Sequence, residues 1–226
     1  MSDAARLDLH VHSVYSPDSR MPLDEIAGRL PYLGLKGFAI TDHNSVRGHA
    51  ALPALREKYP RYLFLPGVEI STAEGHLLAY GVSEAPPPHR PIVEVLDWVR
   101  AHGGVAALAH PFRRAHGVGR RVAASVPVSL VETRNGHNSE IANLRAENLA
   151  ARRGLGMVGG SDAHQLAEIG RAYTELDPSV TTVDDLLDAL ARRSVSANGR
   201  SLSWSGRLRL GLRSGLLLAS RGFRPI

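Results

Sequence analysis

Short runs of alternating apolar and polar positions are interleaved along this chain with longer stretches of helical periodicity. Residues 7–11 alternate as a strand does, and after Pro22 the apolar positions Leu23, Ile26, Ala27 and Leu30 predict a helix over 23–33. A second strand is predicted at 37–41, followed by a helix near 48–58. Strands at 63–70 and 76–82 flank a turn at Glu74-Gly75, and Pro86-Pro87-Pro88 forms a stiff connector to a helix over 92–101. Further strands fit 105–109, 128–132 and 156–160, and further helices fit 139–152 and 183–192, the latter opened near Thr182. This alternation, without internal repeats, predicts one α/β domain with mostly parallel strands.

Composition narrows the chemistry. The 226 residues carry no cysteine, which removes disulfides, thiolate zinc sites and cysteine nucleophiles together. Any metal must be held by imidazole and carboxylate. Apolar residues make up 43% of the chain, enough to bury a core. No apolar run approaches the roughly 20 residues that span a bilayer, and the first patterned segment begins at about Arg6 and carries polar residues at once, so no secretory leader is expected. The expectation is a soluble, cytoplasmic protein without stable membrane insertion. The net charge is +5, yet the seven arginines from Arg193 onward carry +7, which leaves −2 for residues 1–192. The basic character therefore belongs to the end of the chain. Trp204, Leu208, Leu210, Leu212 and Leu216 stand there at core-like spacings, so residues 206–226 are expected as a basic tail packed on a domain spanning 1–205. An attraction of that tail to phosphate, nucleic acid or an anionic membrane surface stays open.

The placement of histidine matters more than its count. His10 and His12 lie two apart on the first predicted strand with Asp8 two before them, a spacing that points all three to one face. Two imidazoles so placed can bind one metal ion, with Asp8 fixing a tautomer behind them. The same grammar recurs at other strand ends: Asp42 and His43, Glu69, His76, His110, Glu132 with Asn135, and Asp162 with His164. Each alone has a plain explanation, Asp42 as a helix cap or His110 as a core histidine. In a parallel barrel, however, strand ends converge on one mouth, where ligands and chemistry sit.

These residues resemble the polymerase and histidinol phosphatase (PHP) family of metal-dependent phosphoesterases. The segments that carry the resemblance are DLHVHSVYSPDS (8–19), TDHN (41–44), PGVEIS (66–71), GHLLAYG (75–81), AHP (109–111) and GSDAH (160–164), in the family's order over roughly residues 6–200. The resemblance implies a distorted seven-stranded (β/α)7 barrel with two or three divalent ions, Mn, Fe or Zn, at its mouth. It implies one ion on His10, His12, Glu69 and Asp162, and a second on Glu69, His76 and His110. A third, completing a trinuclear site, would take Asp18, His43 and His164, the Asp18 position being histidine in some members.

The implied activity is hydrolysis of phosphate monoesters by a metal-bridging hydroxide, with Glu69 and Asp162 at the reacting centre. Arg113 or Arg171 is the candidate cation for the phosphate oxygens, and His137, near Asn135, the candidate for the leaving-group proton. His49, His89, His102 and His116 read as surface or packing residues. Only 33 residues separate His76 from His110, so an inserted domain found in some nucleotide-directed relatives is missing. The expected substrate is a phosphorylated small molecule or nucleotide. Alternatives are a nucleotide phosphoesterase or 5′-to-3′ exonuclease on nucleic acid ends, and a non-catalytic metal-binding accessory module. The sequence leaves the oligomeric state undetermined.

Overall fold

The computed structural model describes residues 4–201, and the basic tail expected at 206–226 lies outside the described residues. Nine strands form one mixed sheet: β1 (Ala5–Val11), β2 (Gly37–Ile40), β3 (Leu63–Ser71), β4 (His76–Tyr80), β5 (Val105–Leu108), β6 (Leu130–Asn135), β7 (Gly156–Gly160), β8 (Ala172–Leu176) and β9 (Ser196–Gly199). Six α-helices accompany them among the described residues: α1 (Leu23–Leu33), α2 (Leu52–Lys58), α3 (Ile92–Ala101), α4 (Gly119–Ser125), α5 (Glu140–Arg153) and α6 (Val183–Ala191).

The sheet curls into a nearly closed barrel in the order β7-β6-β5-β4-β3-β2-β1-β8-β9. Strands β1, β2 and β3 run parallel, as do β5, β6 and β7. Strand β4 is antiparallel to both neighbours, so the expectation of mostly parallel strands holds for the two halves and fails at their junction, and again at β8, which is antiparallel to β1 and β9. The reason is the tight turn after β3: Thr72 accepts and donates around Gly75, and so short a connection returns the chain antiparallel. The reversal puts His76, the first residue of β4, beside Ser71 at the end of β3.

The count of nine strands against the expected seven has a local cause. The ring is β1 to β7, and β8 and β9 are added on the base of β1. Strand β8 buries Ala172, Thr174 and Leu176, and the polar threonine breaks the apolar alternation that would have marked it. Its hydroxyl closes the seam, accepting from Gly159 N at 2.8 Å and donating to Gly159 O at 3.0 Å. Nearer the mouth, β1 meets the end of β7 directly, through Asp162 N to His10 O at 2.7 Å and His12 N to Ala163 O at 3.0 Å. Gly160 allows this approach, because a Cβ there would collide with His10.

The apolar residues sort into an interior and two outer layers. Leu7, Leu9, Ala39, Leu65, Leu78 and Tyr80 pack inside the barrel with Ala107, Leu130 and Val158, over Leu186 and Leu190 of α6. Helices α3, α4 and α5 cover β3 to β6, α3 burying Ile92, Val95, Leu96 and Val99 at i, i+3, i+4 and i+7. Helix α1 covers β1 and β2 and ends at Gly34, whose left-handed backbone (φ 64°) stops the helix. Helix α5 begins where Ser139 accepts from Ala142 N, and α6 where Thr182 and Asp185 cap one another. No helix among the described residues is long and apolar enough to cross a membrane.

Candidate metal centre

The mouth of the barrel is set by a break in β1. The register against β2 shifts between Asp8 and Val11, and a bulge of this kind re-aims side chains. Leu7 and Leu9 face the interior, whereas Val11 packs outward with α1. The shift separates Asp8 from His10 and His12, contrary to the single face that their spacing predicts. Asp8 accepts the backbone N–H groups of Ser161 and Gly170, each at 2.8 Å. Burial pushes its carboxyl up to about 6, against those hydrogen bonds. Asp8 thus anchors two loops and fixes no imidazole. Asp42, a candidate helix cap, instead accepts from Ser13 N and Ser13 Oγ at 2.6 and 2.7 Å, tying the loop after β1 to the loop after β2.

Four elements bring the first donor set together: His10 from β1, His12 just beyond it, Glu69 from β3 and Asp162 after β7. His10 Nε2 lies 3.1 Å from His12 Nε2, and each is 3.3 Å from Glu69 Oε2. Asp162 Oδ1 is 3.5 Å from His10 Nε2 and 3.2 Å from His12 Nε2. All four residues are buried, and Asp162 turns its side chain inward from a left-handed backbone (φ 58°). Donor atoms about 2.1 Å from a tetrahedral ion stand about 3.4 Å apart, which is the spacing found. Glu69 Oε2 has no hydrogen bond among the described residues although His43 Nδ1 stands 3.1 Å away as well. A buried carboxylate oxygen ringed by three imidazole nitrogens, yet hydrogen-bonded to none, fits a co-ligand of a cation.

The other oxygen of Glu69 faces a second group. Glu69 Oε1 is 2.8 Å from His76 Nδ1 and 2.8 Å from His110 Nε2. A third group gathers on the loop side: Asp18 Oδ2 is 2.9 Å from His164 Nε2 and 3.4 Å from His43 Nε2. His12, Asp18, His43 and His164 together have donor atoms close enough to hold one ion, as do His43, Glu69 and His76. Each sequence-predicted ligand residue is therefore at the mouth, and His43 reaches both Glu69 and Asp18.

On three of these rings the far nitrogen is held by a separate group. His10 Nδ1 meets Glu132 Oε1 at 2.9 Å, His12 Nδ1 meets Ser16 Oγ at 3.2 Å, and His164 Nδ1 meets Asp162 O at 2.7 Å. A hydrogen bond at Nδ1 fixes the tautomer that leaves Nε2 unprotonated and facing a cation. Glu132 and Ser16 take the part first expected of Asp8. Glu132 also accepts from His110 N at 2.7 Å and from Asn135 Nδ2 at 3.0 Å. Glu132 stood in the sequence as one more carboxylate at a strand end. Ser16 lies in the first motif segment, two residues before Asp18, but its type alone carried no signal.

Arg113 reaches this centre. Its guanidinium pairs with Asp162 Oδ2 and donates to Asn135 Oδ1 at 2.7 Å and Asn138 Oδ1 at 3.1 Å, with a quarter of the side chain exposed. Asn135 is consumed as a hub, since its amide donates to Glu132 and Asp162 while its oxygen accepts from Arg113 and His137 N. His137 is buried, stacked on His164 at 5.6 Å, with Nε2 3.3 Å from Glu168 and unbonded among the described residues. Arg171 is not brought here; it lines a separate cavity with Tyr173 and Arg200. His116, read as a packing residue, does pack, but against His76 at 4.7 Å.

Charge explains why this cluster calls for cations. Asp18, Glu69, Glu132 and Asp162 bring four carboxylates to the mouth, and the guanidinium of Arg113 pairs with one of them, Asp162. Burial alone would push Glu69 and Asp162 up, but the imidazoles around Glu69, and Arg113 with His10 around Asp162, hold both well below the usual carboxylate range. Burial works against protonated His12, yet Asp162 and Glu69 raise it to about 10. Burial lowers His43 to about 4 and His110 to about 3. The buried carboxylates of this cluster therefore call for positive charge beside them. Divalent ions supply that charge without protonating the rings.

The chain matches the family model of the PHP domain over residues 8–93 and that of the PHP-associated region over residues 140–195. It is 32% identical over 197 residues to an uncharacterised protein of Methanocaldococcus jannaschii, covering 80% of this chain and 75% of that one. Among solved structures, a candidate metal-dependent phosphoesterase from Bifidobacterium adolescentis superposes with a TM-score of 0.62 at 19% identity, over 82% of this chain and 96% of that one. Endonuclease Q, solved with a 27-mer duplex bearing an abasic lesion at its active site, superposes with a TM-score of 0.67 at 15% identity. That match covers 87% of this chain and only 60% of the endonuclease.

Proposed function

The chain belongs to the PHP domain family, and from that premise we propose that it hydrolyses phosphate monoesters with divalent ions held at the barrel mouth. The observation that carries the reading is the set of His10, His12, Glu69 and Asp162 donor atoms, buried, with the two imidazole nitrogens 3.1–3.5 Å from one another and from the carboxylate oxygens. On this reading Glu69 would serve two ions, one with His10, His12 and Asp162 and one with His76 and His110, and Asp18, His43 and His164 would hold a third. Nitrogen and oxygen donors without sulfur suit Mn, Fe or Zn alike. Bound ions supply Lewis acidity to the ester oxygens and lower the pKa of water, so that a nucleophile exists at neutral pH.

The chain's own residues do the rest. Arg113, fixed by Asn135, Asn138 and Asp162, offers its exposed edge to phosphate oxygens and stabilises charge as it spreads over them. His137, with Nε2 free of hydrogen bonds among the described residues, holds the proton that the leaving oxygen needs. Glu132 and Ser16 keep His10 and His12 in the tautomers that face the ions.

A second reading within the same chemistry is action on nucleotides or nucleic acid ends, favoured by the fold shared with endonuclease Q. Phosphate release by Mn-loaded protein across small monoesters, nucleotides and 5′-phosphorylated oligonucleotides separates the two, with His10→Ala as the control. Turnover lost in the control is the expected result. Protein that binds metal and releases phosphate from nothing would favour an accessory module acting through a partner.

A further inference from the structure

A cavity of about 620 Å³ lies on the outer side of the β8–β9 pair, lined by Gly170, Arg171, Tyr173, Asn198, Gly199 and Arg200, among others. Strand alternation decides which residues face it. Thr174 and Leu176 of β8 turn to the seam and the interior, so Arg171 and Tyr173 turn the opposite way. Tyr173 packs against the layer beneath α1, so the cavity is on the far face of the strand from the interior.

Its charge is one-sided. None of the lining residues is acidic. Neither Arg171 nor Arg200 makes a salt bridge among the described residues. Nη1 of Arg171 is buried and has no hydrogen-bond partner among them. The nearby carboxylate of Glu175 is taken, 3.6 Å from Arg6 and 3.4 Å from Asn198 Nδ2. A buried guanidinium N–H without a partner is costly, and two arginines that line one cavity without an acidic neighbour in its wall suit a tetrahedral oxyanion.

We propose that this cavity is a second phosphate-binding site, separate from the metal centre, in which Arg171 and Arg200 hold the anion. The choice of phosphate over another oxyanion rests on the phosphoesterase reading, whereas the cationic cavity does not. Two sources share this chemistry: free phosphate, which is the product of that reaction, and a phosphate carried by a longer substrate.

The test is calorimetric titration of inorganic phosphate into the metal-loaded full chain, the Arg113→Gln variant and the Arg171→Gln and Arg200→Gln variants. The expected result is a phosphate-binding event that persists in Arg113→Gln and weakens about tenfold or more when either of the other arginines is lost. Arg200 is exposed, so Arg200→Gln decides the matter if Arg171→Gln fails to fold. Unchanged phosphate affinity in Arg200→Gln and in any folded Arg171→Gln overturns the proposal. Competition by a 5′-phosphorylated oligonucleotide for the arginine-dependent event assigns the site to a strand's phosphate, and lack of competition assigns it to free phosphate. Persistence of that event in protein without phosphoesterase activity defeats the proposed function and leaves this site standing. Turnover without the event does the reverse.

Discussion

Glu132 contacts no proposed substrate atom, yet three parts of the centre depend on it. Its two oxygens take His10 Nδ1, His110 N and Asn135 Nδ2, so one carboxylate sets a ring tautomer, a loop and the amide hub that positions Arg113. Glu132→Gln keeps the volume and replaces an acceptor with an amide that can donate to His10. Metal affinity is expected to fall about 10- to 100-fold, read by titration against a competing chelator dye. Affinity equal to wild type would show that His10 keeps its orientation without the anion. Glu69 differs because it lies among the donor atoms themselves, so its replacement acts on the ions directly.

The barrel closes between elements that are weak as sequence signals. Near the mouth, β1 and β7 share main-chain hydrogen bonds through Asp162 and Ala163. Below it the strands diverge, and Thr174 of β8 serves both Gly159 groups from a fully buried position. Thr174→Val keeps the shape and strands one buried N–H and one buried C=O. A loss of about 1–3 kcal/mol is expected, measured by urea unfolding. An unchanged midpoint would mean that the seam recruits another partner for Gly159. Because Asp162 and His164 follow β7 directly, a looser seam should also weaken metal binding, though less than loss of a ligand.

Across the whole molecule, stability and metal binding are one equilibrium. The mouth gathers carboxylates from loops far apart in the chain, Asp18, Glu69, Glu132 and Asp162, and unfolding separates them. Ions that bind only the folded form stabilise it by mass action, about 2.7 kcal/mol at a hundred times the dissociation constant. Stripping the metal with a chelator should lower Tm by roughly 5–10 °C for a domain of this size, and re-addition of Mn should restore it. Scanning calorimetry before and after chelation reads this directly. Identical curves would show that the buried carboxylates are balanced by protonated imidazoles alone.

Much of this molecule is legible in its residues. Helical spacing placed α1 and α3 with their observed limits, and Thr182 marked the start of α6. Ligand-type side chains at successive strand ends marked the mouth, because strand ends are where a barrel exposes chemistry and these residues are seldom needed for packing. The tertiary structure decided what depends on neighbours distant in sequence. A bulge in β1 parted Asp8 from His10 and His12, and no local spacing reports a bulge that arises from pairing with β2. The antiparallel course of β4 carried His76 to Glu69, and the strands β8 and β9 raised the count from seven to nine. Arg113, just past the AHP segment, and Arg171, after Ile169-Gly170 beyond the last motif, were both candidates as sequence. Their separation, one to the metal centre and one to the outer cavity, follows from which face of its segment each occupies once the barrel has closed.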